Sequence, residues 1–335
     1  MTSTDELGAY EEAQLVEDMH LLSYETAALK YSGLNNYCLV QHLGGGKYSN
    51  VFEGIDLRDN ERVAIKVLKP VKKKKIRREV EILEILRGGV NIVTLKEILQ
   101  NPVTLTLTLV MDLLYPTDFS CIYLNLNDFH IRYYTHELLK ALDYCHSHGI
   151  MHRDVKPYNI IVDHEAMKLR LIDFGLAEFY HSGEEYSVRV ATRHYKGPEL
   201  LVGYSYYSYS LDIWSMGCML AAMIFRTEPF FNGEDDDDQL ARITDVLGAI
   251  DLLKWLYEYE IDFQPTDGQE FTCASRKEWT HFINVTNEHL AKEDALDLLD
   301  RVLVFDPQKR ITASDAMKHP YFAPVRDKVK PSQCS

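Results

Sequence analysis

The sequence predicts an α+β protein of two unequal lobes, with most of the strands first and most of the helices later. From Tyr37 to Met111 the apolar residues mostly alternate or form short β-branched runs between turn residues, a pattern typical of strands. After Pro116 the apolar residues recur at helical spacing over longer windows. Strands followed by helices favour a small sheet-containing lobe and a larger helical lobe, joined near Asp112–Pro116.

The individual elements follow from the same patterns. Strands are predicted at Tyr37–Leu43, Asn50–Asp56, Arg62–Leu68, Ile92–Leu99 and Thr104–Met111. Helices are predicted at Lys72–Leu86, Asp128–His148, Ser210–Phe225, Gln239–Leu247 and Asp294–Val304. The acidic run Asp235–Asp238 is predicted to be a solvated loop, and residues 250–290 show only a pattern of helical packing. The predicted organisation is an N-terminal segment over 1–36, a small lobe over 37–112, a large lobe over 113–325 and a short tail over 326–335.

The composition is that of an ordinary soluble globular protein. Of 335 residues, 46% are hydrophobic and 26% are charged. The longest apolar stretches are shorter than the roughly 18 residues that a membrane span needs. The first twenty residues contain six acids and no Lys or Arg, unlike a secretory or transit peptide. Six scattered cysteines without a CxxC pair fit reduced intracellular thiols, so we expect an intracellular protein without a membrane partner.

The distribution of charge indicates the kind of partner. The net charge of −15 argues against a general nucleic-acid-binding function. However, Lys66–Arg78 contains eight basic residues and no acid, so the rest of the chain stands at −23 once these eight positive charges are set aside. We expect this basic window to contact an anionic partner. The alternative is a solvated helix end or a nuclear-import signal, and we expect the protein in both cytoplasm and nucleus.

Three glycines follow the first predicted strand, in the segment Gly44–Val51. Glycine allows a tight turn whose backbone N–H groups approach phosphate oxygens where a Cβ would clash. A plain hairpin turn explains the same residues. A Rossmann fingerprint would require a helix next, whereas a second strand is predicted, so a dehydrogenase is disfavoured.

A lysine and a glutamate are predicted to meet in the small lobe. Alternation in the third strand places Lys66 on the face opposite Val63 and Ile65. In the following helix, Glu79 falls within the apolar stripe that should face the sheet. A buried carboxylate needs a cation, and Lys66 is the natural candidate. The alternatives are a surface lysine and a Glu79 side chain that reaches solvent.

The strongest signal is the segment His152–Asn159, followed fourteen residues later by Asp173–Gly175. A loop carboxylate can orient a hydroxyl group for attack. An amide oxygen and a second carboxylate can hold divalent cations that bridge phosphates. Two unrelated surface loops do not account for these motifs at this spacing.

In these motifs and in their order, the chain resembles the eukaryotic protein kinases over residues 37–322. The resemblance implies the bilobal protein kinase fold and phosphate transfer from ATP. Asp154 would be the catalytic base, and Lys156 would neutralise the γ-phosphate, a placement typical of Ser/Thr kinases. Lys66 would bind the α- and β-phosphates and pair with Glu79.

The same resemblance implies further site residues. Asn159 and Asp173 would ligate Mg²⁺, Asp212 would anchor the catalytic loop, and Glu199 would pair with Arg310. The remaining nucleotide-binding residues implied by it are Leu43, Gly44, Gly46, Val51, Ala64, Met111, Asp112, Leu114, Ile161 and Ile172.

Several segments resemble more narrowly the catalytic alpha subunits of casein kinase II. These segments are Leu43–Phe52, Leu68–Ile76, Ala177–His181, Val188–Ala191 and Phe225–Phe231. That family phosphorylates Ser or Thr followed by acids, so this resemblance agrees with the charge pattern. The residues implied to contact distal acids of the substrate are Lys72, Lys73, Lys74, Lys75, Arg77 and Arg78. Those implied to contact the acid next to the phosphoacceptor are Arg189, Arg193 and Lys196.

Departures from the casein kinase II pattern concern the nucleotide pocket. Ala64 and Ile161 stand where a larger Val and a Met normally border the purine, Met111 replaces a Phe, and Phe174 replaces a Trp. The use of GTP as well as ATP in that family is linked to this pocket. We therefore expect ATP to be used and GTP to be a weaker substrate.

The resemblance also implies regulation and partners. That family is constitutively active because its N-terminal segment packs on the activation segment, and Tyr24 and Glu25 match the residues that make this contact. It also forms a heterotetramer with a dimeric regulatory beta subunit on the small lobe, where Phe52 matches one contact. The alternatives are a pseudokinase scaffold, a regulatory nucleotide-binding module and a proline-directed kinase. The intact catalytic residues disfavour the scaffold.

Overall fold

The structure is a computed structural model that describes residues 34–46, 48–70, 73–114, 119–263 and 275–326. The predictions on Tyr24, Glu25 and most of the segment 1–36 therefore lie outside the described residues. So do those on Lys72, on Pro116 of the lobe connection and on the tail after Arg326. None of the described helices is long and apolar enough to cross a membrane.

An antiparallel sheet of five strands forms the first part of the described chain, in the order β1-β2-β3-β5-β4. The strands are β1 (Tyr37–Gly45), β2 (Ser49–Asp56), β3 (Arg62–Leu68), β4 (Leu95–Gln100) and β5 (Leu107–Asp112). The last two begin three residues later than predicted. Before β5, Asn101 Oδ1 accepts hydrogen bonds from the backbone N–H groups of Val103 and Thr104, which keeps these residues in a turn.

The apolar residues of β3 are divided between the two faces of the sheet. Val63 and Ile65 pack with Leu99 on one face. Ala64 and Leu68 belong to the main core on the other face. The predicted alternation is therefore confirmed, and it places Lys66, which is buried, on the main-core side of the sheet.

One helix, α1 (Lys73–Ile85), connects β3 to β4. Val80, Leu83 and other residues at helical spacing are buried in the main core, and Glu79 is buried beside them. The helix also contacts the turn Phe174–Leu176, which belongs to the second part of the chain. This contact brings Glu79 close to residues that lie about a hundred positions further along the chain.

The rest of the described chain is mainly helical. Its helices are α2 (Phe119–Ile122), α3 (Asp128–Ser147), α4 (Pro198–Leu201), α5 (Ser210–Phe225), α6 (Asp236–Leu247), α7 (Ala249–Glu258), α8 (Glu293–Val302), α9 (Ala313–Lys318) and α10 (Ala323–Arg326). Two small antiparallel pairs join β6 (Ile150–Met151) to β9 (Glu178–Phe179) and β7 (Ile160–Asp163) to β8 (Lys168–Leu171). Every residue of α5 after Ser210 is buried, so this helix runs through the interior of the helical part.

The acidic run differs from its prediction. Asp235 is the N-cap residue of α6 and accepts a hydrogen bond from the backbone N–H of Asp238 at 2.8 Å, and Asp236–Asp238 form the first helical turn. Acids are favoured there because the first N–H groups of a helix lack intrahelical partners and its N-terminus carries partial positive charge. The prediction of a solvated loop was therefore wrong. Helix α7 covers the start of residues 250–290, for which only helical packing was predicted.

Candidate active site

Lys66 lies between two carboxylates where the sheet meets the helical part. Its Nζ is 2.6 Å from Glu79 Oε1 and 2.8 Å from Asp173 Oδ1. Burial alone would lower the pKa of Lys66, but the two carboxylates outweigh this effect and raise the pKa above its usual value. The lysine therefore remains a cation, which is the form that can bind phosphate oxygens.

The turn that carries Asp173 is held by its neighbours. His152 Nε2 lies 3.0 Å from the carbonyl oxygen of Ile172, and the ring of Phe174 meets that of His152 edge-on at 4.9 Å. Asp173 itself has a φ of +62°, a left-handed conformation that few residues other than glycine adopt. Burial alone would raise the pKa of Asp173, but the Lys66 cation holds it below its usual value.

The loop between β6 and β7 carries a polar cluster around Asp154. Lys156 Nζ donates to Asp154 Oδ2 at 2.7 Å, and Thr192 Oγ1 donates to Oδ1 at 2.9 Å. Asn159 Nδ2 donates to Oδ2 at 3.0 Å and to the Asp154 carbonyl at 2.8 Å. Three side chains thus orient this carboxylate, as a base that must accept a substrate proton requires. Thr192 was not predicted as a site residue, because it lies 38 residues from Asp154 and belongs to no local motif.

Asp212, on the buried helix α5, holds the backbone of this loop. Its carboxylate accepts hydrogen bonds from the N–H groups of His152 at 2.9 Å and Arg153 at 2.8 Å, and His146 Nε2 lies 3.0 Å away. Burial alone would raise the pKa of Asp212, but these contacts hold it below its usual value. Arg153 has a φ of +64°, so the anchored backbone turns sharply just before Asp154.

Asn159 and Asp173 have the chemistry of ligands for a divalent metal ion. Asn159 Nδ2 donates the two hydrogen bonds to Asp154 described above, which leaves Oδ1 as the atom for a cation. The Asp173 side chain is 48% exposed despite its ion pair with Lys66. An all-oxygen set of one amide and one carboxylate suits Mg²⁺.

The turn between β1 and β2 has room for a ligand next to its backbone. Gly46 N–H donates to the carbonyl of Ser49 at 2.9 Å and closes the turn. A Cβ added at Gly44 or Gly46 would meet no protein atom within 4 Å. The protein's own packing therefore does not require these two glycines, whereas the close approach of a phosphate would.

The predicted nucleotide-binding residues of the sheet lie side by side. Val51 pairs with Lys66 across β2 and β3, and Ala64 pairs with Met111 across β3 and β5. Ile172 N–H donates to the Asn159 carbonyl at 2.9 Å, next to the catalytic loop. Of the other predicted nucleotide-binding residues, Leu114 and Ile161 are partly buried and Leu43 is exposed.

The side chain of Asp112 is occupied by contacts within the protein rather than available to a nucleotide. Its carboxylate accepts a hydrogen bond from the Thr94 N–H and lies 3.6 Å from Arg170 Nε. Because the carboxylate already has these partners, a contribution of Asp112 to nucleotide binding would come from its backbone.

Glu199 and Arg310 form an ion pair in which both side chains are fully buried. The guanidinium meets both carboxylate oxygens, at 2.8 Å and 3.1 Å, and lies over the ring of Trp214. An added Cβ at Gly197 would overlap the Glu199 carboxylate. A residue with a Cβ at position 197 would therefore require the Glu199 side chain to shift. The ion pair joins α4 to the segment between α8 and α9.

The predicted contacts to distal acids divide into two sets. Lys74, Lys75 and Arg77 of α1 are exposed. Arg78 instead forms an ion pair with Glu178, in which both side chains are about one-fifth exposed. Glu178 lies on the segment after Asp173, so Arg78 contacts an internal carboxylate, unlike the three exposed residues.

The three residues predicted to contact the adjacent acid also differ from one another. Arg189 is exposed. Arg193 Nη1 donates to the carbonyl of Glu234, and Lys196 Nζ lies 2.6 Å from Asp236 Oδ2. Lys196 is therefore in contact with the acidic run, and Arg193 with the residue that precedes it.

A cation for phosphates, a positioned base and oxygen ligands for a metal ion are together the parts of a phosphotransferase. A family model described as the protein kinase domain matches residues 37–322. Because this match covers most of the chain, the chain belongs to the protein kinase family. The five-stranded sheet with α1 is the small lobe of the bilobal kinase fold and the helical part is the large lobe, which confirms the predicted fold class. The chain is a protein kinase, and its family uses ATP and a divalent metal ion.

Proposed function

We propose that this kinase transfers the γ-phosphate of Mg-ATP to Ser or Thr residues that are followed by acids. The observation that carries the proposal is the exposed basic cluster of α1, formed by Lys74, Lys75 and Arg77, in a chain of net charge −15. None of the ion pairs within the described part of the chain includes these three side chains. Lys75 Nζ lies 5.7 Å from the ring centre of Tyr48, so the cluster borders the β1–β2 turn.

The catalytic step uses the polar cluster of the large lobe. Asp154 would accept the proton of the substrate hydroxyl, and Lys156 beside it would stabilise negative charge on the transferred phosphoryl group. Lys66 would orient the other phosphates. When bound, Mg²⁺ held by Asn159 and Asp173 would supply neutralisation of the phosphate charges.

The choice of Ser or Thr over Tyr is supported by Lys156. A lysine two residues after the base is typical of Ser/Thr kinases, and here it contacts both Asp154 and Thr192. Otherwise identical Ser, Thr and Tyr peptides measure this choice directly.

Activity without a phosphorylated activation segment is supported by Glu178. Arg153 precedes the catalytic base, and its Nη2 lies 3.4 Å from Glu178 Oε2. Its other nitrogens donate to the Tyr207 hydroxyl and the Leu176 carbonyl. The charge of Arg153 thus lies near an internal carboxylate, which it shares with Arg78, and this contact supports activity without an added phosphate.

The proposal extends to partners, nucleotide choice and location. Acidic proteins would be the substrates, and a dimeric regulatory beta subunit would dock on the small lobe in a heterotetramer. This docking is supported by the exposed apolar residues Leu39 and Val40 of β1. The small Ala64 supports weaker use of GTP, and the basic cluster supports residence in the nucleus as well as the cytoplasm.

The test is phosphate transfer from labelled ATP with Mg²⁺ to a Ser peptide followed by Asp and Glu, and to its Asn and Gln twin. We expect kcat/KM to be at least about tenfold higher for the acidic peptide, because each charge-assisted contact contributes on the order of 1 kcal/mol. Asp154→Asn is the blank and should lower kcat by about 10²–10⁴-fold.

Three other outcomes are informative. Equal transfer to both peptides would contradict the acidic specificity but not the kinase activity. A preference for a Ser-Pro peptide would instead indicate a proline-directed enzyme. The absence of transfer to all of these peptides would contradict the proposed catalysis.

A further inference from the structure

Glu234 and the acidic run Asp235–Asp238 that follows it lie against the segment that carries Arg193 and Lys196, and the function proposed above gives these acids no role. The ion pair between Lys196 and Asp236 joins residues 40 positions apart. Arg193 contacts the carbonyl of Glu234 across a similar separation. The run therefore packs next to residues 193–196 in the folded protein, although it is distant from them in the sequence.

The run is held firmly in this place. Asp235 caps α6 by accepting a hydrogen bond from the Asp238 N–H. The side chain of Gln239 is buried and links both segments. Its Oε1 accepts from the Gly233 N–H at 2.8 Å, and its Nε2 donates to the His194 carbonyl at 3.4 Å. The first turn of α6 thus has a defined position beside residues 193–196.

Lys196 follows closely in the chain after Thr192, whose hydroxyl contacts the catalytic base Asp154. Thr192 bridges Asp154 and Lys156 through its hydroxyl, and the single helical turn Arg193–Tyr195 separates it from Lys196. A peptide whose hydroxyl reaches Asp154 would therefore place its next residue near this turn.

We propose that Asp236 is a specificity-determining residue that weakens the preference for an acid directly after the phosphoacceptor. This inference rests on the acidophilic function proposed above. Lys196 is 13% exposed and already paired, so a substrate carboxylate would have to share it with Asp236. It would also approach five consecutive acids, whose like charge opposes binding. Distal acids that reach α1 do not meet this run.

The test compares two Ser peptides with the same distal acids, one with Asp and the other with Asn directly after Ser. Asp236→Asn should raise the ratio of their kcat/KM values by about three- to tenfold, through KM rather than kcat, because it removes a partly exposed competitor for Lys196. Adding Lys196→Gln to this variant should abolish the gain.

The matched control is Asp245→Asn. This residue lies on the same helix but pairs with Lys277, at 2.6 Å, so the variant removes the same charge elsewhere and should leave the ratio unchanged. In the wild-type background, Lys196→Gln should change the ratio less than twofold.

Each remaining outcome overturns the inference in a recognisable way. An unchanged ratio in Asp236→Asn, with distal acids still preferred, removes the role of Asp236 and leaves the proposed function intact. An equal gain in Asp245→Asn indicates a general charge effect, and a tenfold loss in Lys196→Gln alone shows that Lys196 already binds the substrate acid. A wild-type enzyme indifferent to acids at every position refutes the proposed function and the inference together.

Discussion

The cations that the sequence associates with acidic substrates are in two different electrostatic environments. In α1, Lys74, Lys75 and Arg77 are exposed and take part in no ion pair among the described residues. In the segment before α4, Arg193 and Lys196 are held by Glu234 and the acidic run that follows it at the start of α6. The position of a cation in the sequence therefore does not decide whether it can bind a substrate. Its neighbours in space decide this.

The two helix starts explain the difference. Helix α6 begins with Asp236–Asp238, and negative charge at a helix N-terminus is favourable. Helix α1 has no acid in its first turn and begins with a run of lysines, which have the unfavourable sign there. The acids at the start of α6 are therefore explained by the stability of that helix. The lysines at the start of α1 do not stabilise their helix, so their presence indicates a role in binding anions.

The largest effect on the binding of acidic peptides is expected from the combined variant Lys74→Gln, Lys75→Gln, Arg77→Gln. It should raise KM for peptides with distal acids by about tenfold or more, because three charge contacts are lost together. It should not lower the free energy of unfolding, because the lost charges were unfavourable at the helix start. Steady-state kinetics and urea unfolding measure both quantities.

The control for this variant is the combination Lys254→Gln, Lys292→Gln, Lys309→Gln, which removes the same charge from the surface of the large lobe. A comparable rise in KM in the control would show that net charge alone, rather than the α1 cluster, attracts the peptide.

A smaller effect is expected from single substitutions of Arg77 and Arg78, which are adjacent in the basic run. Arg78→Gln breaks the ion pair with Glu178, which joins α1 to the segment after Asp173, and should lower the free energy of unfolding by about 1 kcal/mol and kcat by a few-fold. KM for acidic peptides should change little. Arg77→Gln should do the opposite, with a higher KM and unchanged stability. If both variants affect KM alike, the distinction between the exposed Arg77 and the ion-paired Arg78 does not decide substrate binding.

The sequence predicted the local elements and the main chemistry well, for identifiable reasons. The apolar pattern of Ser210–Phe225 coincides with the bounds of α5. Strand alternation and the helical stripe placed Lys66 and Glu79 on facing surfaces, and the structure joins them at 2.6 Å. Both inferences use periodicities of a few residues, which a single sequence displays directly.

The contacts that the sequence did not show are long-range. Thr192 meets Asp154, Glu178 meets Arg78, and Asp236 meets Lys196 across 38 or more positions, and no local motif indicates any of these pairs. The acidic run was misread because its composition suggested a solvated loop. Its N-cap was the local signal that could have corrected this prediction.

The most direct test of the account is the specificity of the wild-type enzyme for the position of the acid. A Ser peptide with acids only at distal positions is compared with one that has a single acid directly after Ser, each relative to its amide twin. The account predicts that the distal acids raise kcat/KM by at least about tenfold and the adjacent acid by less than about threefold. An adjacent acid with an effect as large as that of the distal acids would contradict it.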